Sequence, residues 1–472
     1  MSAFRTFVIV SSTAVLAMAA LVLSAQQQPR VAPDSRILET RYELAYPWWD
    51  PNRGVALPRS KTFGDPSGEL RLLNTSGAVE TNGHAFFTPL GANGRACVTC
   101  HQPTSAMSLS VDLIRQRWAD TQGKDPLFAA IDGSNCPNLP QEKEESHSLL
   151  LEHGLFRIAL PWPPRTGSGQ PIKPDFRIEV VRDPTGCNQN SASISVYRRP
   201  RVVANLKYIA RPGGVTLMAD GREPSLQSQA ITAALTHEQA SVPPTPAQLQ
   251  QIEDFERQLF MAQHSDNLGG LLGEPGGPAL LGADNLASGI AGVGAVPAVG
   301  TLTASFDPWR NLSAPNLAIR QRAFRESALR GVDLFASREF GLPDGKPGTC
   351  AICHRPGINR SSDIGTTNLP TAKQSPELPL FRITCDASAP PHPQLGRIFF
   401  TQDPGPALIT GKCADAGSIL MQQFRGLTAR APYFANGSAG DLTELVDFYD
   451  HRFRIGLTQK EKQDLVNFLS IL

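Results

Sequence analysis

The stretches ACVTCHQP (Ala96–Pro103) and TCAICHRP (Thr349–Pro356) share one spacing, Cys-x-x-Cys-His. Two thiols at this spacing add across the two vinyl groups of a haem, and the histidine that follows is then held at the iron as proximal ligand. The alternative for this residue set is zinc, which takes four Cys or His ligands in a single cluster. Zinc gives no reason for a histidine to follow directly in both copies. The reading is therefore two covalently attached c-type haems, one on Cys97, Cys100 and His101 and one on Cys350, Cys353 and His354.

The chain has eight cysteines, so Cys136, Cys187, Cys385 and Cys413 remain. Four cysteines permit three pairings. Cys136–Cys187 and Cys385–Cys413 are expected, because each closes a loop inside one half of the chain at lower entropic cost. Four free thiols would suit an exported protein poorly. Export is what the N-terminus suggests: Arg5 precedes an apolar run, Phe7–Leu23, and small residues and glutamines follow. That layout reads as a signal peptide over residues 1–25, cleaved after Ala25, and hence a periplasmic location. An uncleaved membrane anchor is the alternative, since the run approaches the lower limit of a span.

At 472 residues there is chain enough for two or three domains, and 40 glycines with 40 prolines imply many loops. A formal net charge of +1 points to no polyanion, so nucleic acid is not an expected partner. Each half carries one Cys-x-x-Cys-His. Residues 266–301, rich in glycine, alanine and proline and nearly uncharged, read as a connector lying against the surface. It would divide an N-terminal haem domain, 26–265, from a C-terminal one, 302–472. In the second half Phe324, Ala328, Val332 and Phe335 recur at helical spacing. The chain closes on a capping box, Thr458 with Glu461, followed by Leu465, Phe468, Leu469 and Leu472. VDLIRQRWADTQ gives a helix in the first half, and FRIEVVRDP shows strand-like alternation. The expected fold is mainly α: two cytochrome-c-like haem domains with long loops and minor β structure.

The stretch RGLTARAPYFANGSAGDLTELVDFYDHRF, Arg425–Phe453, resembles the signature of the bacterial di-haem cytochrome c peroxidase and MauG-type superfamily. DGREPSLQSQA, Asp220–Ala230, is similar to a second segment of that family. Together with the two ordered haem motifs, the likeness spans nearly all of the exported chain. It implies a peroxidase or MauG-like oxidase that takes hydrogen peroxide at the first haem, opposite His101, and relays electrons through the second. Electrons would come from a small cytochrome c, a cupredoxin or a protein side chain, and a homodimer is the assembly allowed for.

By the same resemblance, the helix beginning near Asp441 supplies the distal ligand of the second haem, and Tyr449 takes that position. Independently, Leu442, Leu445 and Tyr449 share one helical face. At the first haem Gln229 matches a family glutamine. The family's glutamate falls on Gln239, leaving Glu238 and His237 beside it as candidates for moving protons during peroxide cleavage; His237 is also a candidate distal ligand. A calcium ion between the haem domains is implied, with Asn205, Arg430 and Pro432 at the ligand positions. Two departures stand out: Ala219 where the family has tryptophan, and Ala435 where it has histidine. Two rival readings are a dioxygen-using cleavage enzyme, similar to the di-haem rubber oxygenases, and an electron-transfer protein with both irons six-coordinate.

Overall fold

Residues 60–74, SKTFGDPSGELRLLN, fold back on themselves because Asp65 caps the turn: its Oδ1 accepts from the backbone N–H of Ser67 at 2.7 Å and of Gly68 at 3.1 Å. The resulting strands β1 (Ser60–Asp65) and β2 (Gly68–Asn74) pair antiparallel, Ser60 opposite Leu73 through Asp65 opposite Gly68. This computed structural model describes residues 47–189, 192–208, 217–288, 299–310, 317–342, 345–354 and 374–472. The signal-peptide reading of residues 1–25 lies outside them. Among the described residues no helix is long and apolar enough to cross a membrane.

The strands that follow are β3 (Phe156–Pro161), β4 (Phe176–Arg182), β5 (Ser193–Arg198), β6 (Leu259–Asp266), β7 (Gly270–Leu271), β8 (Phe340–Gly341), β9 (Pro347–Gly348), β10 (Leu380–Cys385) and β11 (Ile398–Thr401). They form four sheets, ordered β1-β2-β6-β7, β11-β10-β4, β3-β5 and β8-β9. The expectation of a mainly α fold is therefore wrong. Helix makes up 34% and strand 18%, a mixed α/β chain. The physical reason is long-range pairing. β2 meets β6 with Leu72 opposite Met261, and β4 meets β10 with Ile178 opposite Ile383. Both pairings join segments from distant parts of the chain, which no local pattern announces, although the alternation read in FRIEVVRDP does form β4.

The helices that frame the site are α1 (Cys97–Cys100), α2 (Val111–Thr121), α3 (Leu226–Thr236), α4 (Pro246–Gln258), α5 (Ile319–Ser337), α6 (Cys350–Cys353), α7 (Leu442–Phe453) and α8 (Gln459–Ser470). α5 and α8 bury the stripes read from sequence: Phe324, Ala328, Val332 and Phe335 lie in one core with Leu465, Phe468 and Leu469. They approach so closely that a Cβ on Gly331 would stand 2.1 Å from the carbonyl oxygen of Asp464. The capping box of α8 forms, with Glu461 N–H donating to Thr458 Oγ1 and Thr458 N–H to Glu461 Oε2.

Described residues from 47 onward belong to one unit, Tyr46–Leu472. Within it Leu272, Leu280, Leu281, Ala283 and Leu286, all from the 266–301 stretch, are buried in the same core as Phe324. Sheet β11-β10-β4 joins strands from both halves. Disulfides link Cys136 to Cys187 and Cys385 to Cys413, with Cα–Cα distances of 5.5 and 5.6 Å. Cys97, Cys100, Cys350 and Cys353 are the free cysteines.

Candidate functional site

Each Cys-x-x-Cys-His is a single helical turn. In α1 the His101 N–H donates to the Cys97 carbonyl at 3.1 Å, and in α6 the His354 N–H donates to the Cys350 carbonyl at 2.7 Å. Ending the helix there turns both thiols and the imidazole toward one cavity, about 190 Å³ for the first motif and about 380 Å³ for the second. His101 Nδ1 lies 3.2 Å from the Met107 carbonyl, an acceptor, so Nδ1 carries the hydrogen and Nε2 keeps its lone pair. Burial pushes both His101 and His354 down to about 4, so each is neutral, the form that ligates metal. Burial also pushes the Cys100 and Cys350 thiols up to about 12, so both are protonated S–H groups at neutral pH.

In the second cavity α7 carries Tyr449 to a point opposite His354: Tyr449 Oη stands 3.4 Å from His354 Nε2. Their rings are nearly perpendicular, at 85°. The two side chains thus present an oxygen and a nitrogen donor to one another within the second cavity. Phe335, Phe424, Phe434 and Phe453 complete the apolar wall. Burial raises the Tyr449 hydroxyl above its ordinary value, with the Cys350 and Cys353 thiols adding to it.

Around the first cavity the structure collects Gln229, His237 and Glu238, the candidates named from sequence. Gln229 projects from α3, and His237 and Glu238 follow at its C-terminus. His237 Nδ1 lies 2.5 Å from Asp132 Oδ2, leaving Nε2 without that constraint. Asp132 is itself ion-paired with Arg95, whose other N–H groups donate to the carbonyls of Pro126 and Leu127. Burial pushes the Asp132 carboxyl up, but Arg95 and His237 together outweigh it and hold it below the usual range. Glu238 Oε2 accepts from the Leu90 N–H at 3.0 Å, and Oε1 lies 3.5 Å from Cys97 Sγ. Burial brings the Glu238 carboxyl up to about 7. The loop at Gly91 lies so tightly on this segment that a Cβ there would be 1.8 Å from the Glu238 carbonyl oxygen.

Three residues of this site escape sequence reasoning. Asp132 is 105 positions from His237, and Arg95 acts through Asp132. Glu256, on α4, is 3% exposed, lines the first cavity and has an Oε2 with no hydrogen-bond partner. Only Glu256 left a sequence signal, a carboxylate on the apolar face of α4 beside Ile252 and Phe255.

The two cavities share a wall made of Arg198–Arg201, Ala219, Gln422 and Gln423. Ala219 thus stands between them and contributes no ring. Asp220 is buried and joins Arg198 at 2.5 Å to Arg222 at 2.7 Å. The expected calcium positions adjoin this wall. Asn205 Nδ2 donates to the Met261 carbonyl at 2.9 Å and to Gln423 Oε1 at 3.0 Å, while its Oδ1 accepts from the Met261 N–H at 3.0 Å. The Arg430 carbonyl accepts from Arg199 Nη2 at 2.9 Å. Pro432 is buried beside them in sequence and lines the second cavity.

Compared with models of known protein families the chain matches none, and no curated protein matches it.

Proposed function

We propose that the chain is an exported di-haem c-type cytochrome acting as a peroxidase or MauG-like oxidase. The observation that carries the reading is convergence. Both Cys-x-x-Cys-His turns open on a cavity with a neutral histidine, and the second has a further donor, Tyr449 Oη, 3.4 Å from His354 Nε2. Cys97 and Cys100 would hold one haem and Cys350 and Cys353 the other, with His101 and His354 as proximal ligands and Tyr449 opposite His354. When bound, the haems supply iron that passes electrons and, at an open axial position, binds and cleaves peroxide.

Reducing one hydrogen peroxide to two waters takes two electrons and two protons. The first cavity is where the chain handles protons. His237 Nε2 would be the group to take a proton from a peroxide held in the cavity and return it to the departing oxygen, with Asp132 fixing the ring through Nδ1. Gln229 offers an amide to orient the peroxide, and Glu238, near neutrality at about 7, can resupply the proton. Electrons enter at the second centre from a small donor protein. A second reading, a pure electron carrier, gains support from His237 itself, whose Nε2 could close the first iron as a strong axial ligand.

Haem content and mass of the exported protein test the first layer: two covalent haems are expected, falling to one in a Cys97→Ala/Cys100→Ala variant. The ferric EPR spectrum, taken before and after one equivalent of peroxide, tests the second. A high-spin first centre that binds cyanide and consumes peroxide supports the oxidase. Two low-spin centres inert to cyanide would establish the carrier instead.

A further inference from the structure

Arg430 occupies the first of the two positions whose carbonyls are expected to hold calcium, and its own side chain is 7% exposed. Its Nη2 donates to the Gln423 carbonyl and its Nε to the Arg425 carbonyl. Arg199, 8% exposed, donates to the carbonyls of His153 at 3.0 Å, Leu109 at 2.6 Å and Arg430 at 2.9 Å. Arg201 donates to the Leu420 and Met421 carbonyls at 2.8 and 2.7 Å. Every partner is a neutral carbonyl. Among the described residues no carboxylate lies within ion-pair distance of these three guanidinium groups. Their neighbour Arg198 shows the contrast, neutralised by Asp220 and Asp403 at 2.5 and 2.6 Å.

We infer that Arg199, Arg201 and Arg430 form a built-in cationic junction between the two cavities, which takes carboxylate anions from the cavity occupants and holds no divalent cation. Two independent observations carry this. The first concerns the oxygens calcium would need. Asn205 Oδ1 is already bonded to the Met261 N–H, and the Arg430 carbonyl is bonded by a guanidinium. Calcium takes six to eight oxygen ligands, commonly with carboxylates among them. Here the surrounding charges are positive, so a dication would be repelled by the groups nearest its ligands.

The second concerns the guanidinium groups themselves. A buried charge without a counter-charge is costly, and arginine does not escape by losing its proton. Arg199 and Arg201 line both cavities and Arg430 lines the second, so the missing anions have to arrive with what fills them. This step rests on the di-haem reading: each haem carries two propionate carboxylates, and a guanidinium binds a carboxylate through two parallel N–H bonds.

The test uses the holoprotein. Haem per chain is measured first; its absence defeats the di-haem reading and the anion half with it. Elemental analysis after dialysis against a chelator, then calorimetric titration with calcium chloride, should show substoichiometric calcium and no binding heat. One retained calcium per chain overturns the cation half, with or without haem. For the anion half, Arg201→Gln should lower the midpoint potentials of the haems, while Arg201→Lys restores them. Resonance Raman spectra of the unmodified holoprotein should place the propionate bending modes where guanidinium-bonded carboxylates absorb. Modes of free propionates, or potentials unmoved in Arg201→Gln, overturn it.

Discussion

Replacing Glu256 by methionine should stabilise the protein at neutral pH and remove part of its pH dependence. Burial, with Glu253 adding to it, pushes the Glu256 carboxyl from 4.5 up to about 8. Below pH 4.5 the group is protonated in the folded and the unfolded chain alike, so stability is full. Between pH 4.5 and 8 the unfolded chain releases the proton while the folded chain keeps it, and stability falls as pH rises. The loss is complete once pH passes about 8. Each pH unit inside the window removes about 1.4 kcal/mol, which sums to about 3 kcal/mol at pH 7. Methionine keeps the length of the side chain and suits the neighbouring Ile252, without a proton to lose or a polar atom to satisfy. Urea midpoints of the wild type and Glu256→Met, measured side by side from pH 4.5 to 8.5, read the effect. The gap should be under about 1 kcal/mol at pH 5 and near 3 kcal/mol at pH 7, in favour of methionine. A gap that does not change with pH would refute the reasoning, because it would mean that Glu256 ionises freely inside the fold.

Other outcomes follow from the same geometry. Tyr449→Phe should change the ferric EPR signal of the second haem and raise its potential, since an anionic oxygen donor favours ferric iron; an unaltered spectrum removes Tyr449 from the ligand set. Asp132→Asn should reduce peroxide turnover about 10- to 100-fold and move its pH profile while haem content holds, as loss of a partner that orients an imidazole does at metal sites. Turnover and profile both matching wild type would leave Asp132 a purely structural residue. Gly331→Ala should cost on the order of 3 kcal/mol by forcing α5 off α8, read as a lower thermal midpoint; no shift would mean that the two helices part freely. Ala219→Trp should speed electron exchange between the two centres in rapid-mixing spectra by placing a ring in their common wall. If the native protein exchanges as fast, another route already carries the electrons.

What could be read in the sequence was whatever is encoded locally. The Cys-x-x-Cys-His turns, the stripes of α5 and α8 and the capping box at Thr458 each lie within a few turns of chain, and each forms. Both disulfide pairings were legible because short loops close more readily than long ones. Helical phase put Tyr449 on one face of α7 with Leu442 and Leu445, while its place across from His354 was what the family resemblance implied. Of the strands, only β4 left a local trace, the alternation in FRIEVVRDP, while β6 is buried along Leu259–Ala262 without alternation and its pairing with β2 was not legible. Asp132 was out of reach for a different reason. A carboxylate in a loop says nothing of the imidazole that folding will bring to it. The arginine junction was hidden in the same way, since buried guanidinium groups look like surface charge until their carbonyl partners are known.

The wall between the cavities also ties the two halves of the chain together. Its Arg198 is tied to Asp403, 205 positions later, and Arg201 to the carbonyls of Leu420 and Met421. β4 likewise pairs with β10. The first cavity is thus walled by residues of the first half whose side chains are held by partners in the last hundred residues. A chain cut short before its last hundred residues would therefore lack part of the wall of both cavities, so neither cavity is the property of one half of the sequence.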